Sequence, residues 1–326
     1  MRTLVTGGAG FIGSHLTDFL LAETQSEIAL FDDFSTGSRE NVEHCADHER
    51  VEIRDGDVRD PSTVKEAVED ADAVYHLAAA VGVKRIVENP LDSLRTNLRG
   101  TENVLEAAAD DRTPVFVASS SEVYGKSEAL PFSESDDRVL GSTDTARWGY
   151  ATAKAADEFF ALAYHEERDL PVVVARFFNT VGPRQTGQYG MVIPTFVEQA
   201  LADEPLTVYG DGTQTRCFTH VEDAVAAIYE LMNGMDAHGE VFNVGASEPT
   251  SINDLARRVI ALADSSSEII HVPLEEVYGP DFEEPDRREP DITKLEETLG
   301  WAPNGDLDRI LRDVVEERAD TEVTDV

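Results

Sequence analysis

A glycine-rich turn between a strand and a helix constrains the fold of this chain most strongly. The run TLVT (3–6) has the pattern of a short buried strand, and TGGAGFIGSHL (6–16) leads from it into apolar residues at helical spacing. Gly7 permits a tight turn, Gly10 lets backbone N–H groups approach a ligand, and Gly13 allows close packing of the helix on the strand. Because a helix N-terminus after such a turn attracts phosphate groups, the pattern predicts a dinucleotide-binding unit.

The second expected strand indicates which dinucleotide is bound. EIALFDD (27–33) contains Asp32 near its end, at about the 20-residue distance from the glycine turn that ribose recognition requires. A carboxylate there accepts both hydroxyls of an adenosine ribose and repels a 2′-phosphate, which favours NAD, while Arg39 leaves NADP as an alternative. We expect Phe11 and Ile12, within the turn motif, to line the same cofactor site.

Apolar, β-branched runs recur along the chain as far as residue 176, with helical patterns between them. They are typical of a parallel sheet buried on both faces and lie at 3–6, 27–32, 51–55, 73–78, 115–120 and 172–176. After Arg176 the pattern changes to proline-containing loops and a Tyr-Gly-Asp-Gly turn. We therefore expect a Rossmann-type, doubly wound α/β fold. Residues 1–176 would form the NAD-binding domain, to which a strand near 241–245 returns, and residues 177–326 a smaller C-terminal α+β substrate-binding region.

Composition excludes several classes of protein. The chain has 27 basic and 65 acidic residues, a formal net charge of −38, which argues against a nucleic-acid partner. Acid spread along the whole chain with little lysine is typical of halophilic proteins, in which dense salt screens the repulsion. No apolar run is long enough to span a membrane, and we expect a cytoplasmic protein. Cys45 and Cys217 are too few and too far apart for a disulfide framework or a zinc site, so no metal is expected.

A tyrosine and a lysine indicate the chemistry. Tyr150 and Lys154 are four residues apart on an expected helix at 149–167 and therefore share a face. A tyrosine hydroxyl with its ordinary pKa of about 10 is a poor base at neutral pH. A neighbouring ammonium, together with the positive nicotinamide ring of the oxidised cofactor, stabilises the phenolate and makes it a base. Since a strand ending in three serines (119–121) precedes this pair, we predict a proton-transfer site beside the dinucleotide.

The motifs together resemble those of the extended short-chain dehydrogenase/reductases that act on nucleotide-diphosphate sugars. This family includes UDP-sugar 4-epimerases, UDP-glucuronate decarboxylases and 4,6-dehydratases. The resemblance covers nearly the whole chain and is carried by TGGAGFIGSHL (6–16), DGDVRD (55–60), HLAAAVGV (76–83), NLRGTENVLEAA (97–108), SSSEVYG (119–125), YATAK (150–154), RFFNTVGPRQ (176–185), YGDGTQTRCFTHVEDA (209–224) and RREPDI (287–292).

The resemblance implies roles for individual residues. Ser120 would hydrogen-bond the reacting sugar oxygen, Tyr150 would take the proton of the 4-hydroxyl, and Lys154 would also hold the nicotinamide ribose, with Glu122 beside them. Further positions implied for the cofactor are Asp57, Val58, Leu77, Ala78, Ala79 and Asn97. Positions implied for the substrate diphosphate and nucleoside are Asn179, Arg216, Arg288 and Asp291. The forked guanidinium groups among them suit phosphate oxygens.

The end of the serine strand distinguishes the activities within the family. Dehydratases resemble Thr-Asp-Glu, whereas this chain has Ser120-Ser121-Glu122 and lacks that acid. The decarboxylase pattern Thr-Ser-Glu differs only by serine for threonine, and epimerases commonly have a small or neutral residue at the glutamate. Because Ser120 is present and epimerases are widespread, we expect a UDP-hexose 4-epimerase, with a UDP-glucuronate decarboxylase as the alternative and a 4,6-dehydratase less favoured. A non-enzymatic NAD sensor or scaffold would lack Ser120, Tyr150 or Lys154, and all three are present.

Two expected helices indicate self-association. The helices near 93–109 and 149–167 carry apolar residues on more than one face, among them Leu105 and Phe159. The resemblance implies that such helices pair across a two-fold axis into a four-helix bundle, so we expect a homodimer.

Overall fold

The computed structural model describes residues 1–187, 191–278 and 285–324. Its strands are β1 (Arg2–Thr6), β2 (Glu27–Asp32), β3 (Val51–Asp55), β4 (Ala73–His76), β5 (Val115–Ser120), β6 (Val172–Phe177), β7 (Thr180–Val181), β8 (Leu206–Tyr209), β9 (Thr215–Cys217), β10 (Thr219–His220), β11 (Glu240–Val244), β12 (Pro249–Ser251), β13 (Ile269–Val272) and β14 (Arg287–Arg288). Its helices are α1 (Phe11–Glu23), α2 (Glu40–Glu43), α3 (Pro61–Glu69), α4 (Val83–Glu88), α5 (Pro90–Ala109), α6 (Arg147–Arg168), α7 (Val192–Leu201), α8 (Val221–Asn233), α9 (Ile252–Leu262), α10 (Leu274–Tyr278), α11 (Thr293–Leu299) and α12 (Leu307–Thr324). Within these ranges no helix is long and apolar enough to cross a bilayer.

A parallel sheet organises the larger unit of the molecule. Among the described residues, seven strands pair in the order β11-β6-β5-β4-β1-β2-β3, and every pairing is parallel. Val5 of β1 lies opposite Leu30 on one side and Tyr75 on the other. The strand order reverses between β1 and β4, which is where doubly wound sheets open a crevice at the carboxyl ends of their strands. The predicted Rossmann-type α/β fold is confirmed.

Helices cover both faces of this sheet. Neighbouring strand residues such as Leu4 and Val5 belong to opposite cores, since side chains alternate along a strand. The core on one face includes residues of α1, α8 and α11, and the core on the other includes residues of α3, α5 and α6. Burial on both sides explains why the strand sequences are continuously apolar instead of alternating.

Local sequence sets where the main helices begin. The helices expected near 93–109 and 149–167 are α5 and α6. The Asp60 side chain accepts a hydrogen bond from the Ser62 N–H at 2.9 Å, and a proline occupies the first position of α3. Such a cap satisfies a donor that the first turn leaves unpaired. Helices α5 and α6 extend slightly beyond the expected ranges and pack on each other.

The chain after β6 forms a smaller unit with its own core. Helices α7, α9 and α12 pack around buried residues such as Phe196, Leu255 and Ile310. Strand β12 pairs antiparallel with β9, while β14 pairs parallel with β9 and β13 parallel with β8. Strand β11 leaves this unit to pair with β6 at the edge of the large sheet, and α8 packs against α1. The boundary between the two units therefore runs along the carboxyl ends of the sheet.

The acidic charge leads to a prediction about salt. With 65 acidic and 27 basic residues, the fold is destabilised by its own repulsion in dilute buffer. Since the Debye length falls from about 30 Å at 0.01 M salt to about 3 Å at 1 M, the melting temperature should rise over that range of KCl. Scanning calorimetry measures this, with sucrose as a control for effects of a neutral solute. A flat or falling melting temperature in KCl would contradict the halophilic interpretation.

Candidate active site

A cleft of about 1260 Å³ lies beyond the carboxyl ends of the sheet strands, lined by both units. Its volume exceeds the roughly 300–1,000 Å³ of a site for one small molecule, so a dinucleotide and a second ligand fit together. The predicted site residues that line the cleft are Gly7, Gly10, Phe11, Ile12, Gly13, Asp32, Val58, Leu77, Ala78, Ala79, Ser120, Glu122, Tyr150, Lys154, Asn179, Arg216 and Arg288.

The glycine turn forms the floor of one end of the cleft. Gly7 has a φ of +70°, and a Cβ on Gly13 would lie 2.2 Å from the Gly7 carbonyl oxygen. A Cβ on Gly7 itself would meet the backbone nitrogen of Ala78 at 2.7 Å. Gly10 precedes α1, and no side chain of the described residues caps this helix. Its first N–H groups can therefore donate to a pyrophosphate, which is the contact that the turn predicts.

Asp32 is held at the end of β2 by backbone donors. Its Oδ2 accepts from the Ala9 N–H at 2.9 Å and its Oδ1 from the Phe34 N–H at 2.8 Å. Burial raises the pKa of Asp32, and these two hydrogen bonds oppose that shift. Arg39 does not line the cleft; it pairs with Asp55 at 3.3 Å and stacks on the Phe34 ring. The cation that a 2′-phosphate would need is thus engaged elsewhere, which fits NAD better than NADP.

Three predicted site residues lie outside the lining of the cleft. Asp57 forms an ion pair with Arg59 at 2.7 Å. Asn97 is fully buried and bonds both the N–H and the carbonyl of Ala80, at 2.8 and 3.3 Å, directly after the groove residues 77–79. Asp291 accepts a backbone N–H at the start of α11. In this structure Asn97 supports the cofactor groove from beneath.

Helix α6 brings the tyrosine and lysine to the end of β5. The Lys154 ammonium donates to the Ala118 carbonyl at 3.0 Å. Burial raises the pKa of Tyr150 above its ordinary value and the Glu122 carboxylate adds to this, while a hydrogen bond with the Ser120 hydroxyl opposes it. These groups alone favour the protonated phenol, so Tyr150 needs further positive charge beside it to act as a base.

Glu122 lies between two arginines. Arg288 Nη1 is 2.6 Å from its Oε1, and Arg147 Nη2 is 3.2 and 3.3 Å from its two carboxylate oxygens. Burial favours the neutral acid, but the charges of Arg288 and Arg147 outweigh it and hold the pKa of Glu122 at about 2. At neutral pH this group is a carboxylate, which can accept a proton or repel an anion but has none to donate.

Several cleft residues were missed by the sequence analysis. Arg147 was missed although it lies three residues before Tyr150 on α6, and the loop 35–38 after β2 also contributes to the lining. Arg216 lines the cleft as predicted, and its guanidinium donates to the backbone carbonyls of Pro285 at 2.9 Å and Asp286 at 3.2 Å. The position of Arg147 about one helical turn before Tyr150 is the sequence signal that could have identified it.

Comparison with known proteins identifies the family. The family model described as GDP-mannose 4,6 dehydratase matches residues 4–314. UDP-N-acetyl-alpha-D-glucosaminuronate decarboxylase of Bacillus cytotoxicus is 42% identical over 316 residues, 97% of each chain. UDP-glucuronic acid decarboxylase 1 of Xenopus tropicalis is 39% identical over 93% of this chain and 68% of its own length. Among solved structures, UDP-glucuronic acid 4-epimerase of Bacillus cereus, in complex with UDP-glucuronic acid and NAD, has a TM-score of 0.87 and 28% identity, covering 98% of this chain and 100% of that one.

These relatives correct one expectation. The prediction of a UDP-hexose 4-epimerase is wrong, because the relatives at 42% and 39% identity bear decarboxylase names whereas the epimerase structure shares 28%. The prediction relied on Ser120 and on how widespread epimerases are, and it gave too little weight to the decarboxylase-like pattern that ends in Glu122. The resemblance itself is confirmed: the chain belongs to the extended short-chain dehydrogenase/reductase family of nucleotide-sugar enzymes that the GDP-mannose 4,6 dehydratase model describes.

Proposed function

We propose that this protein is an NAD-dependent decarboxylase of UDP-linked hexuronic acids. The observation that carries the proposal is the ionised Glu122 between Arg147 and Arg288, in one cleft with Tyr150. Guanidinium groups bind carboxylates through paired hydrogen bonds, so this wall of the cleft suits a sugar that itself carries a carboxylate. The decarboxylase names of the relatives at 42% and 39% identity support the same substrate class.

The cleft fits NAD at its glycine-turn end. The crowded Gly7 and Gly13 backbone, the uncapped start of α1 and Asp32 are the groups that would hold the pyrophosphate and the adenosine ribose. Lys154 would hold the nicotinamide ribose, since its ammonium has three N–H donors. When bound, NAD supplies a hydride acceptor and donor for C4 of the sugar.

Tyr150 and Ser120 act on the 4-hydroxyl of the sugar. The Ser120 hydroxyl hydrogen-bonds this oxygen, and the Tyr150 phenolate takes its proton as C4 is oxidised. The C5 carboxylate is then in the position of a β-keto acid, in which the electrons left by departing CO₂ are accepted by the 4-keto oxygen. The protonated Tyr150 lies on the same oxygen and stabilises the negative charge that develops there. C5 then takes a proton from solvent, the hydride returns to C4, and Tyr150 gives its proton back to the 4-oxygen.

Glu122 acts through its charge. A uronate carboxylate held by Arg147 or Arg288 comes close to the carboxylate that those arginines already bind. Two anions in one partly buried site repel each other, and loss of neutral CO₂ moves one of the two charges from the carboxylate to the 4-keto oxygen beside Tyr150. This differential effect favours the transition state over the bound substrate, which is the condition for catalysis.

A substrate panel tests the proposal. The protein with NAD is incubated with UDP-glucuronate, its 2-acetamido analogue, UDP-glucose and UDP-N-acetylglucosamine, and the released CO₂ is measured. We expect CO₂ from one or both uronates, and neither CO₂ nor a 4-epimer from the neutral sugars. Uronates that are bound and returned with the carboxylate intact would contradict the proposal.

We further propose a homodimer formed through α5 and α6. Phe159 on α6 is 62% exposed and Leu91 on α5 is 58% exposed, although both are large and apolar. We expect light scattering at molar salt to give the mass of a dimer, and Phe159→Asp with Leu91→Asp to give a monomer. Met235→Asp is the control, because Met235 is 83% exposed but lies on neither helix. A wild-type monomer at micromolar concentration would contradict the prediction.

A further inference from the structure

A buried carboxylate lies beside the lysine of the proton-transfer site. The Nζ of Lys154 is 3.1 Å from Oδ2 of Asp157, three residues further along α6. The two side chains are only 2% and 0% exposed. An ion pair in such a place has little solvent to screen it, so Asp157 acts on nearby charges more strongly than a surface acid does.

Besides Lys154, Asp157 interacts with the Thr101 hydroxyl and with the charge of the neighbouring Glu158. Its Oδ1 is buried and has no hydrogen-bond partner among the described residues. The adjacent Thr101 hydroxyl lies 3.1 Å from Nε2 of His76, whose Nδ1 is 2.8 Å from the Thr6 hydroxyl. Burial, together with the Lys154 charge, holds the pKa of His76 at about 3, so this imidazole is uncharged at neutral pH. Burial raises the pKa of Asp157, while the charge and hydrogen bond of Lys154 and a hydrogen bond of Thr101 oppose that shift. The charge of Asp157 is therefore balanced by Lys154 and not by the histidine.

The ion pair with Asp157 sets the direction of the Lys154 ammonium and weakens its electrostatic effect on Tyr150. One N–H of the ammonium is donated to the Ala118 carbonyl and another to Asp157, which fixes the direction of the third. A negative charge behind the ammonium also reduces the positive potential at the phenol oxygen. In agreement with this, Asp157 is one of the groups that raise the pKa of Tyr150.

We propose that Asp157 is a positioning residue that aims the Lys154 ammonium and offsets its charge, so that Tyr150 becomes a base only when the positively charged oxidised cofactor is bound. When C4 is oxidised, the phenolate takes the proton of the 4-hydroxyl, and the hydride of C4 goes to the cofactor. With reduced or no cofactor, Tyr150 holds its proton and the cleft does not deprotonate the sugar. This inference rests on the proposed function in one respect, which is the assignment of Tyr150 as the base.

Other titratable groups lie near the Lys154–Asp157 pair. Those on or against α6 near the cleft are Glu158, Arg147, Glu122, Arg176, His76 and Arg288. Glu158 is bound by Arg176 at 2.7 Å, and Glu122 by two arginines. Their charges are paired in wild type and stay unchanged in the variants below, so a difference between the proteins reports on Asp157.

Asp157→Asn tests the inference because it removes the charge and keeps the shape. The amide oxygen can still accept from Lys154, and the amide nitrogen can donate to the Thr101 hydroxyl. Tyrosinate absorbance is titrated for each protein against its own Tyr150→Phe partner, without substrate, with and without NAD⁺. We expect the midpoint of Tyr150 to move to lower pH by roughly one unit, a typical effect of one nearby buried charge. Glu167→Gln, an exposed carboxylate on the same helix, is the control and should leave the midpoint unchanged.

Asp157→Ala separates this role from a merely structural one. It removes the same charge without an amide, so its midpoint must shift in the same direction, whatever its melting temperature. A midpoint that is unchanged or higher in both variants would overturn the inference, even if both are less stable. Because the titration uses no sugar, its outcome is independent of whether the protein releases CO₂, and the proposed function is tested separately.

Discussion

Replacing Tyr150 by phenylalanine should lower the turnover of the enzyme by roughly 10²–10⁴-fold, the usual contribution of a positioned acid or base. The ring still fills its place on α6, while the hydroxyl that interacts with Ser120 is removed. The glycine turn and Asp32 are untouched, so NAD should bind with nearly unchanged affinity. Steady-state kinetics gives the turnover, and calorimetry the affinity for NAD.

Tyr164→Phe is the matched control for this variant. Tyr164 lies on the same helix and hydrogen-bonds Glu106, but it does not line the cleft. It should keep turnover within about twofold of wild type, since a lone surface hydrogen bond contributes little to stability. Near-normal turnover of Tyr150→Phe, with Tyr164→Phe equally active, would show that another group takes the proton.

Replacing Glu122 by glutamine should lower CO₂ release by about 10²-fold or more, on the scale of other positioned charged groups in active sites. Glutamine keeps the size of the side chain but deletes the charge that Arg147 and Arg288 bind. Repulsion of the substrate carboxylate disappears with it, so the loss should fall on kcat while KM stays equal or decreases. This split distinguishes a role in the reaction from a role in binding.

Glu128→Gln makes the same change six residues away, on an exposed side chain outside the cleft lining. It should leave both kinetic constants unchanged. Ionisation of Glu122 should also add no pH dependence to the CO₂ release of the wild-type protein above pH 4, because its pKa of about 2 keeps it ionised there. If the Glu122→Gln variant releases CO₂ at the wild-type rate, the charge of Glu122 has no role in the reaction.

Much of the fold could be predicted from local pattern. The turn with Gly7 and Gly13 fixes a strand followed by a helix, and the continuously apolar runs fix strands buried on both faces. Helix α3 starts where Asp60 and Pro61 provide a cap and a first-turn proline, which are local signals. These features depend on neighbours within a few positions of the chain, which sequence displays directly.

The charges of the site could not be predicted in the same way. Glu122 meets Arg147 across 25 residues and Arg288 across 166, so its ionisation depends on tertiary packing. Asp157 is visible three positions after Lys154, but its complete burial is not. The choice of activity was wrong because it relied on Ser120 and on how widespread epimerases are, whereas the relatives at 42% and 39% identity bear decarboxylase names.

The fate of the sugar carboxyl group shows whether this protein is a decarboxylase of UDP-linked hexuronic acids. UDP-glucuronate and its 2-acetamido analogue, each labelled with ¹³C at the carboxyl carbon, are incubated separately with the wild-type protein and NAD in D₂O and followed by NMR. If the protein decarboxylates UDP-linked hexuronic acids, the label of at least one of them leaves as CO₂ and bicarbonate, and the product carries one solvent deuteron at C5. Label retained in both sugars, with inversion at C4 or no reaction at all, would contradict the proposed activity.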